Sequence, residues 1–283
     1  MPRTTSFAKG HGTLNDFVIL SDPDGDHDPT PAEVRFLCDR RAGVGGDGIL
    51  RVVRGRHVDG WAGDPDAWFM DYRNADGSVA EMCGNGVRVF LRYLKVAGLV
   101  ADDVETVAVG TRAGVRHGTY LPDGQVRVWM GRPEVDAACV RVAVGGAGWQ
   151  ARPVDVGNPH AVSILGAGDS LAGLDLVARP SWTPVERFPQ QVNLEFVELL
   201  GPAELRLRVF ERGVGETFSC GTGIVAAAAA VAAEQGRSDG DYTVHVPGGT
   251  LRVELAGGGA HLTGPAVIVY AGTIDIPNLE DHG

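Results

Sequence analysis

Lysine is nearly absent. Lys9 and Lys95 are the only two in 283 residues. Pyridoxal phosphate chemistry needs a lysine for its Schiff base. Lys95 falls late on a helical stretch and reads as a solvated cap. Lys9 precedes Gly10-His11-Gly12 and stays open at this level. No glycine-rich strand–helix phosphate motif accompanies it, since Gly43-Val44-Gly45-Gly46-Asp47-Gly48 matches G-x-G-x-x-G only loosely. The four cysteines, Cys38, Cys83, Cys139 and Cys220, contain no C-x-x-C pair. That argues against a zinc or thioredoxin-like site. No apolar run approaches the ~18 residues of a membrane span. The longest, Ile224 to Ala233, is alanine-rich and ends at Glu234. The N-terminus has no apolar h-region. The expectation is a cytoplasmic chain with reduced thiols and no membrane partner. Net charge is -11, and a surface of that sign repels phosphate backbones, so no nucleic-acid partner is expected.

What is abundant is glycine. The 41 glycines are about twice the usual ~7%. No collagen period accompanies them, so they read as tight turns between short strands. The length allows one large domain or two smaller ones, each with its own core.

Two segments share a pattern. Met82-Cys83-Gly84-Asn85-Gly86 opens an apolar stretch, Val87 to Leu94. Ser219-Cys220-Gly221-Thr222-Gly223 opens another, Ile224 to Ala233. Each predicts C-G-x-G at a helix start, with helix ends near Gly98 and Gly236. Around this pair other elements recur in the same order. Asn15 to Leu20 resembles Asn158 to Leu165, and Tyr72-Arg73-Asn74 falls opposite Val209-Phe210-Glu211. Val107 to Val109 falls opposite Val244 to Val246, and Val128 to Pro133 resembles Leu262 to Pro265. The recurrence predicts two similar halves, each with many strands and one main helix, meeting near Gly131. Alternation such as Leu205-Arg206-Leu207-Arg208-Val209 supports strands. The class is α+β. Ser21 to Pro31 and Arg54 to Asp66 read as exposed loops. The first is a poor calcium loop, because His27 stands where the glycine is needed. Cys38 and Cys139 lack a glycine context and read as buried structural thiols.

The chemistry follows from the repeat. A thiol at a helix N-terminus feels the positive end of the dipole, which favours the thiolate. Free N–H groups there bind a carboxylate, and the glycines let backbone approach a ligand. One such site suggests a nucleophile. Two related sites suggest thiols on opposite faces of one substrate, which suits inversion of an amino-acid α-carbon. One thiolate removes the proton and the other group, a thiol, returns one to the far face. The two titrations are coupled. Helix-end N–H groups can stabilise the charge that spreads into the carboxylate. The alternatives are a structural pair of thiols, or a Cys83–Cys220 disulfide.

Further blocks carry a resemblance. Lys9 to Phe17, Tyr72 to Ser78, Met82 to Arg88, Gly157 to Val162, and Glu211 to Thr217 followed by Cys220 to Gly223 resemble the diaminopimelate epimerases, in order and over nearly the whole chain. C-G-x-G alone is shared with proline racemases. The asparagine blocks and E-R-G-x-G-E-T are more specific. The resemblance implies cofactor-independent conversion of L,L- to meso-diaminopimelate on the route to lysine and peptidoglycan precursors. It implies two pseudo-symmetric domains, each a strand-rich, barrel-like shell around a central helix. Residues 1–130, with 266–283 returning to them, would carry Cys83, and residues 131–265 would carry Cys220. By the same resemblance Cys83 and Cys220 are the catalytic pair. Gly84, Asn85, Gly221 and Thr222 cradle the reacting carboxylate. Asn15, Asn74, Asn158, Asn193, Glu211 and Arg212 contact the substrate, and His160 and Glu211 tune the thiols. No metal is implied, and a homodimer is left open. Phe210 stands where many members carry Trp, Gly48 where some carry a Gln reaching the substrate, and Val89 where a Cys often follows. A proline or hydroxyproline epimerase, and a non-enzymatic binding or redox-switched protein, are the competing readings.

Overall fold

The computed structural model describes residues 3–279. The chain divides into two compact units, residues 3–128 with 265–279, and residues 129–264. No helix among these residues is long and apolar enough to cross a membrane.

The first unit is one run of eight strands. Val267–Ile276 pairs with Arg3–Gly12, which pairs with Asn15–Ser21, both antiparallel. Gly48–Arg54 joins in parallel, Trp68–Asn74 antiparallel and Thr106–Thr111 parallel. Gly114–Tyr120 and Val126–Gly131 complete it as a meander. The second unit repeats the sequence of pairings. Ala147–Asp155 and Pro159–Ile164 form a hairpin. Asn193–Gly201 joins in parallel, Glu204–Glu211 antiparallel and Gly240–Val246 parallel. Gly249–Ala256 and Gly259–Gly264 close the series. Two copies of one topology are therefore present, as the recurring sequence elements predict.

Each copy holds one main helix. Helix α1 (Pro31–Cys38) is a short extra element of the first unit, α2 (Gly84–Val96) is its main helix, and α3 (Gly221–Glu234) is that of the second. Ala97 caps α2 before Gly98 at φ +66°, and Gln235 caps α3 before Gly236 at φ +68°. Ile224 to Ala232 are all buried, so α3 is apolar on every side, as a helix within a shell of strands must be. Alanine suits it twice, as the best helix former and as a side chain small enough for strands to approach all round.

Helix α1 starts with a capping box. Thr30 Oγ1 accepts from the Glu33 N–H at 3.2 Å, and Glu33 Oε2 accepts from the Thr30 N–H at 2.8 Å. Val34 and Leu37 on this helix pack with Val18, Ile49 and Ile276. Thr30→Ala should therefore lower unfolding free energy by about 1 kcal/mol in urea titration, and an unchanged midpoint would mean water replaces the cap.

Two loop expectations need correction. Ser21 to Pro31 is not simply solvated. Asp22 accepts from the buried Arg51 at 2.6 Å, and Asp28 pairs with the buried Arg73. Its carboxylates neutralise arginines that rise from Gly48–Arg54 and Trp68–Asn74. Arg54 is the last residue of its strand, with its guanidinium 3.5 Å over the Trp68 ring.

Candidate active site

The two hairpins present equivalent residues. In the first unit the turn between Gly12 and Asn15 is Thr13-Leu14, both at positive φ (52° and 63°). These are the conformations of a two-residue hairpin turn that glycine and asparagine adopt readily. A β-branched threonine there is strained, at a cost of order 1–3 kcal/mol. The turn delivers Asn15 at the start of its strand.

Asn15 is held on both sides. Its Nδ2 donates to Asp47 at 2.8 Å, so its Oδ1 is left facing Cys83 Sγ at 3.5 Å and Asn85 Nδ2 at 3.2 Å. Cys83 is the N-cap of α2, and its sulfur accepts from the Gly86 N–H at 3.4 Å. Beneath lies Arg88, fully buried, whose Nη2 donates to Asn85 Oδ1 at 3.0 Å. Burial pushes the Arg88 pKa down to about 10, against the opposing pull of Cys83. Behind Asn15, burial would raise the Asp16 carboxyl, but Arg40 and Lys9 outweigh it and hold it well below the usual range. Lys9 is 2.6 Å from Asp16. It is a buried ion-pair partner of that carboxylate.

In the second unit Cys220 caps α3 and is buried. Its sulfur lies 3.5 Å from Thr222 Oγ1, which accepts from Asn158 Nδ2 at 3.3 Å. Glu211, at the end of its strand, is hydrogen-bonded by Thr217 and by Cys220. Burial raises the Glu211 carboxyl despite those bonds. Burial also pushes the Cys220 thiol well up, reinforced by the charges of Glu211 and Glu195. The neighbouring Arg212 is anchored through its backbone N–H to Asn193 Oδ1 at 2.8 Å, while its side chain is exposed, with no hydrogen bond or ion pair among the described residues.

These positions sit in a chain whose relatives are explicit. The family model described as diaminopimelate epimerase matches residues 7–135 and 153–273. The diaminopimelate epimerase of Streptomyces coelicolor is 51% identical over 99% of both chains. That of Corynebacterium glutamicum is 48% identical over 98% of this chain and all of its own. The chain belongs to the diaminopimelate epimerase family. Among solved structures, a probable proline racemase from Agrobacterium radiobacter superposes with TM-score 0.69 at 17% identity, covering 98% of this chain and 94% of that one. A hydroxyproline epimerase from Agrobacterium vitis gives 0.65 at 15%, covering 96% and 93%. At such identities these two show a shared fold. The strand-rich fold with two pseudo-symmetric halves is thus the family's.

The register aligns the two copies residue by residue. Asn15 corresponds to Asn158, at or just before the start of a strand, Gly48 to Asn193, each the first residue of its strand, and Asn74 to Glu211, each the last residue of its strand. Within the first unit, Cys83, Asn15 and Asn85 come together through hydrogen bonds, while Asn74 closes the turn to Ser78 at 3.0 Å. Within the second, Cys220, Thr222, Asn158 and His160 form one connected series, and Asn193 holds Arg212. A side chain at Gly48 has no room, because a Cβ would lie 2.4 Å from the Arg73 carbonyl and 2.8 Å from the Tyr72 ring. The backbone packing of this chain therefore explains the departure from Gln.

Two further points differ from the sequence reading. Cys139 is exposed, not buried, whereas Cys38 is buried and its thiol is pushed up to about 12 by burial. Glu195 is absent from the residues that the sequence points to. It is fully buried and lies 2.7 Å from His160 Nδ1. The available signal was a single carboxylate in the apolar strand Asn193-Leu194-Glu195-Phe196-Val197, on the same face as Asn193.

Proposed function

We propose that this chain converts L,L-diaminopimelate to meso-diaminopimelate without a cofactor, with Cys83 and Cys220 as the acid–base pair. The observation that carries the reading is the duplication itself. Each copy of the fold places one cysteine as N-cap of its main helix, followed by two buried glycines. Full-length relatives near 50% identity bear the epimerase name.

In this mechanism one sulfur, as thiolate, takes the α-proton from one face. The other, as thiol, delivers a proton to the opposite face. Backbone N–H groups of Gly84, Asn85, Gly221 and Thr222, at the two helix starts, bind the reacting carboxylate and stabilise the charge that builds there. The distal head of diaminopimelate is a second zwitterion. Arg212, with its free guanidinium fork, takes the distal carboxylate in bidentate geometry. Asn15, Asn74, Asn158 and Asn193 supply or orient neutral donors and acceptors. Glu211, in contact with Cys220, adjusts that thiol and faces the substrate ammonium. His160 acts on the thiols through the residues it orients.

Incubation of reduced protein with L,L-diaminopimelate in D₂O should give meso product carrying deuterium at the inverted carbon. Absence of both exchange and meso product would sink this reading.

A further inference from the structure

The second copy of the fold buries a hydrogen-bonded histidine and glutamate where the first buries two apolar side chains. The registers make the equivalence explicit. Phe17 lies opposite Gly48 across a parallel pairing, as His160 lies opposite Asn193, and Leu50 and Glu195 each stand two residues further along. Phe17 and Leu50 in one copy, and Glu195 in the other, lie against the second glycine of a C-G-x-G helix start. A methyl group on Gly86 would meet Leu50 Cδ2 at 3.3 Å and Phe17 Cζ at 3.6 Å, and one on Gly223 would meet Glu195 Oε1 at 2.6 Å. The fold thus accommodates an apolar pair at these positions. Buried ion pairs gain little over apolar side chains of similar volume. Glu195 Oε2 is moreover buried without a hydrogen-bond partner among the described residues. A costly charge retained in one copy alone calls for a role outside packing.

The hydrogen bonds supply one. Glu195 Oε1 is 2.7 Å from His160 Nδ1, and a carboxylate only accepts, so Nδ1 carries a proton. His160 Nε2 is 3.0 Å from Asn158 Oδ1, an acceptor, so with the amide in this orientation Nε2 is the donor. Asn158 Nδ2 then donates to Thr222 Oγ1 at 3.3 Å. The one hydrogen left on that hydroxyl has Cys220 Sγ, 3.5 Å away, as an acceptor when the sulfur is a thiolate. We propose that Glu195 is a positioning residue for Cys220: it holds His160 as an imidazolium and, through His160, Asn158 and Thr222, directs a one-way row of donors that ends on the cysteine sulfur. A donor aimed at sulfur favours the thiolate. The Gly223 N–H, at the start of α3, also favours the thiolate, whereas burial and the carboxylates of Glu211 and Glu195 oppose it. The row offsets that opposition, so that the thiol can both lose and regain a proton. Its catalytic meaning rests on the epimerase reading; its effect on titration does not.

The test is alkylation of the full-length protein by iodoacetamide across pH, followed on the Cys220 peptide by mass spectrometry. Glu195→Gln keeps the shape and removes the charge. The imidazole becomes neutral, the Asn158 amide can turn, and Thr222 no longer donates to sulfur. Losing the carboxylate charge favours the Cys220 thiolate and losing the imidazolium charge opposes it, so the two offset, and the lost Thr222 donor should raise the Cys220 midpoint by about half to one pH unit. Thr222→Val should raise it similarly, and the double variant should match Thr222→Val alone, because both act on one row. An unmoved or lowered midpoint in Glu195→Gln, or fully additive shifts, overturns the proposal. So does ¹⁵N NMR of the wild-type protein showing a neutral His160 ring at pH 7. Copying the first unit, His160→Phe with Glu195→Leu should fold with a near wild-type unfolding midpoint. Failure to fold would make the pair structural and overturn the proposal as well. Alkylation needs no substrate. A wild-type protein that does not epimerise diaminopimelate therefore sinks the functional reading while the titration is judged separately.

Discussion

Cys83→Ala and Cys220→Ala are each expected to lower kcat/KM for L,L-diaminopimelate by about 10³-fold or more, equivalent to about 4 kcal/mol of transition-state stabilisation. Inversion needs a base on one face and an acid on the other, so one remaining thiol cannot complete it. It can still exchange. The surviving sulfur reaches one face of the α-carbon, removes the proton that points towards it and returns a solvent proton to the same side. One variant should therefore wash deuterium into L,L-diaminopimelate and the other into the meso isomer, each without inversion. That crossed pattern, read by NMR in D₂O, separates a two-base mechanism from a general loss of structure. The double variant should be hardly worse in inversion than either single one, since residues that act as a unit are not additive. Single variants that keep near wild-type inversion would end the two-thiol account.

The thiols and the duplication around them were legible because their signal is local. C-G-x-G writes the N-cap and the close backbone approach into four consecutive residues. The repeated order of strands then needs only that each element be found once more. Asn15, Asn158, Glu211 and Arg212 came through family blocks rather than residue chemistry, since asparagine at a strand start is also an ordinary turn residue. What was not legible lies in pairings across strands. Glu195 alternates normally along its strand, and nothing adjacent announces that its inward side meets His160, 35 residues earlier. Cys139 is different: the alternating Val140-Arg141-Val142 that follows puts it on the side of Arg141, so its exposure could be read from the strand period. The acidic stretch from Ser21 to Pro31 looked solvated because its partners, Arg51 and Arg73, belong to strands 20 to 50 residues away.

Those arginines share a third carboxylate with a large expected effect. Asp71 is almost fully buried, and its oxygens accept from Arg112 at 2.8 Å, Arg73 at 3.1 Å and Arg51 at 3.4 Å. Burial alone would raise its pKa, but the hydrogen bonds and charges of Arg73 and Arg112 outweigh that and hold it below the ordinary value. Asp71→Ala leaves Arg51 and Arg73 buried with one carboxylate fewer between them. Breaking a buried pair from one side costs about 3–5 kcal/mol, a large share of the ~5–15 kcal/mol that holds a domain folded. The sign with pH follows from the lowered value. A carboxyl more acidic in the folded state stabilises fully above its unfolded pKa, ~3.9. That contribution is lost as pH falls through the folded value. Urea unfolding should therefore show the full gap between wild type and Asp71→Ala at pH 7, and a narrowing gap below about pH 4. A variant as stable as wild type at pH 7 would mean that Asp22 and Asp28, already bonded to Arg51 and Arg73, suffice to neutralise the cluster.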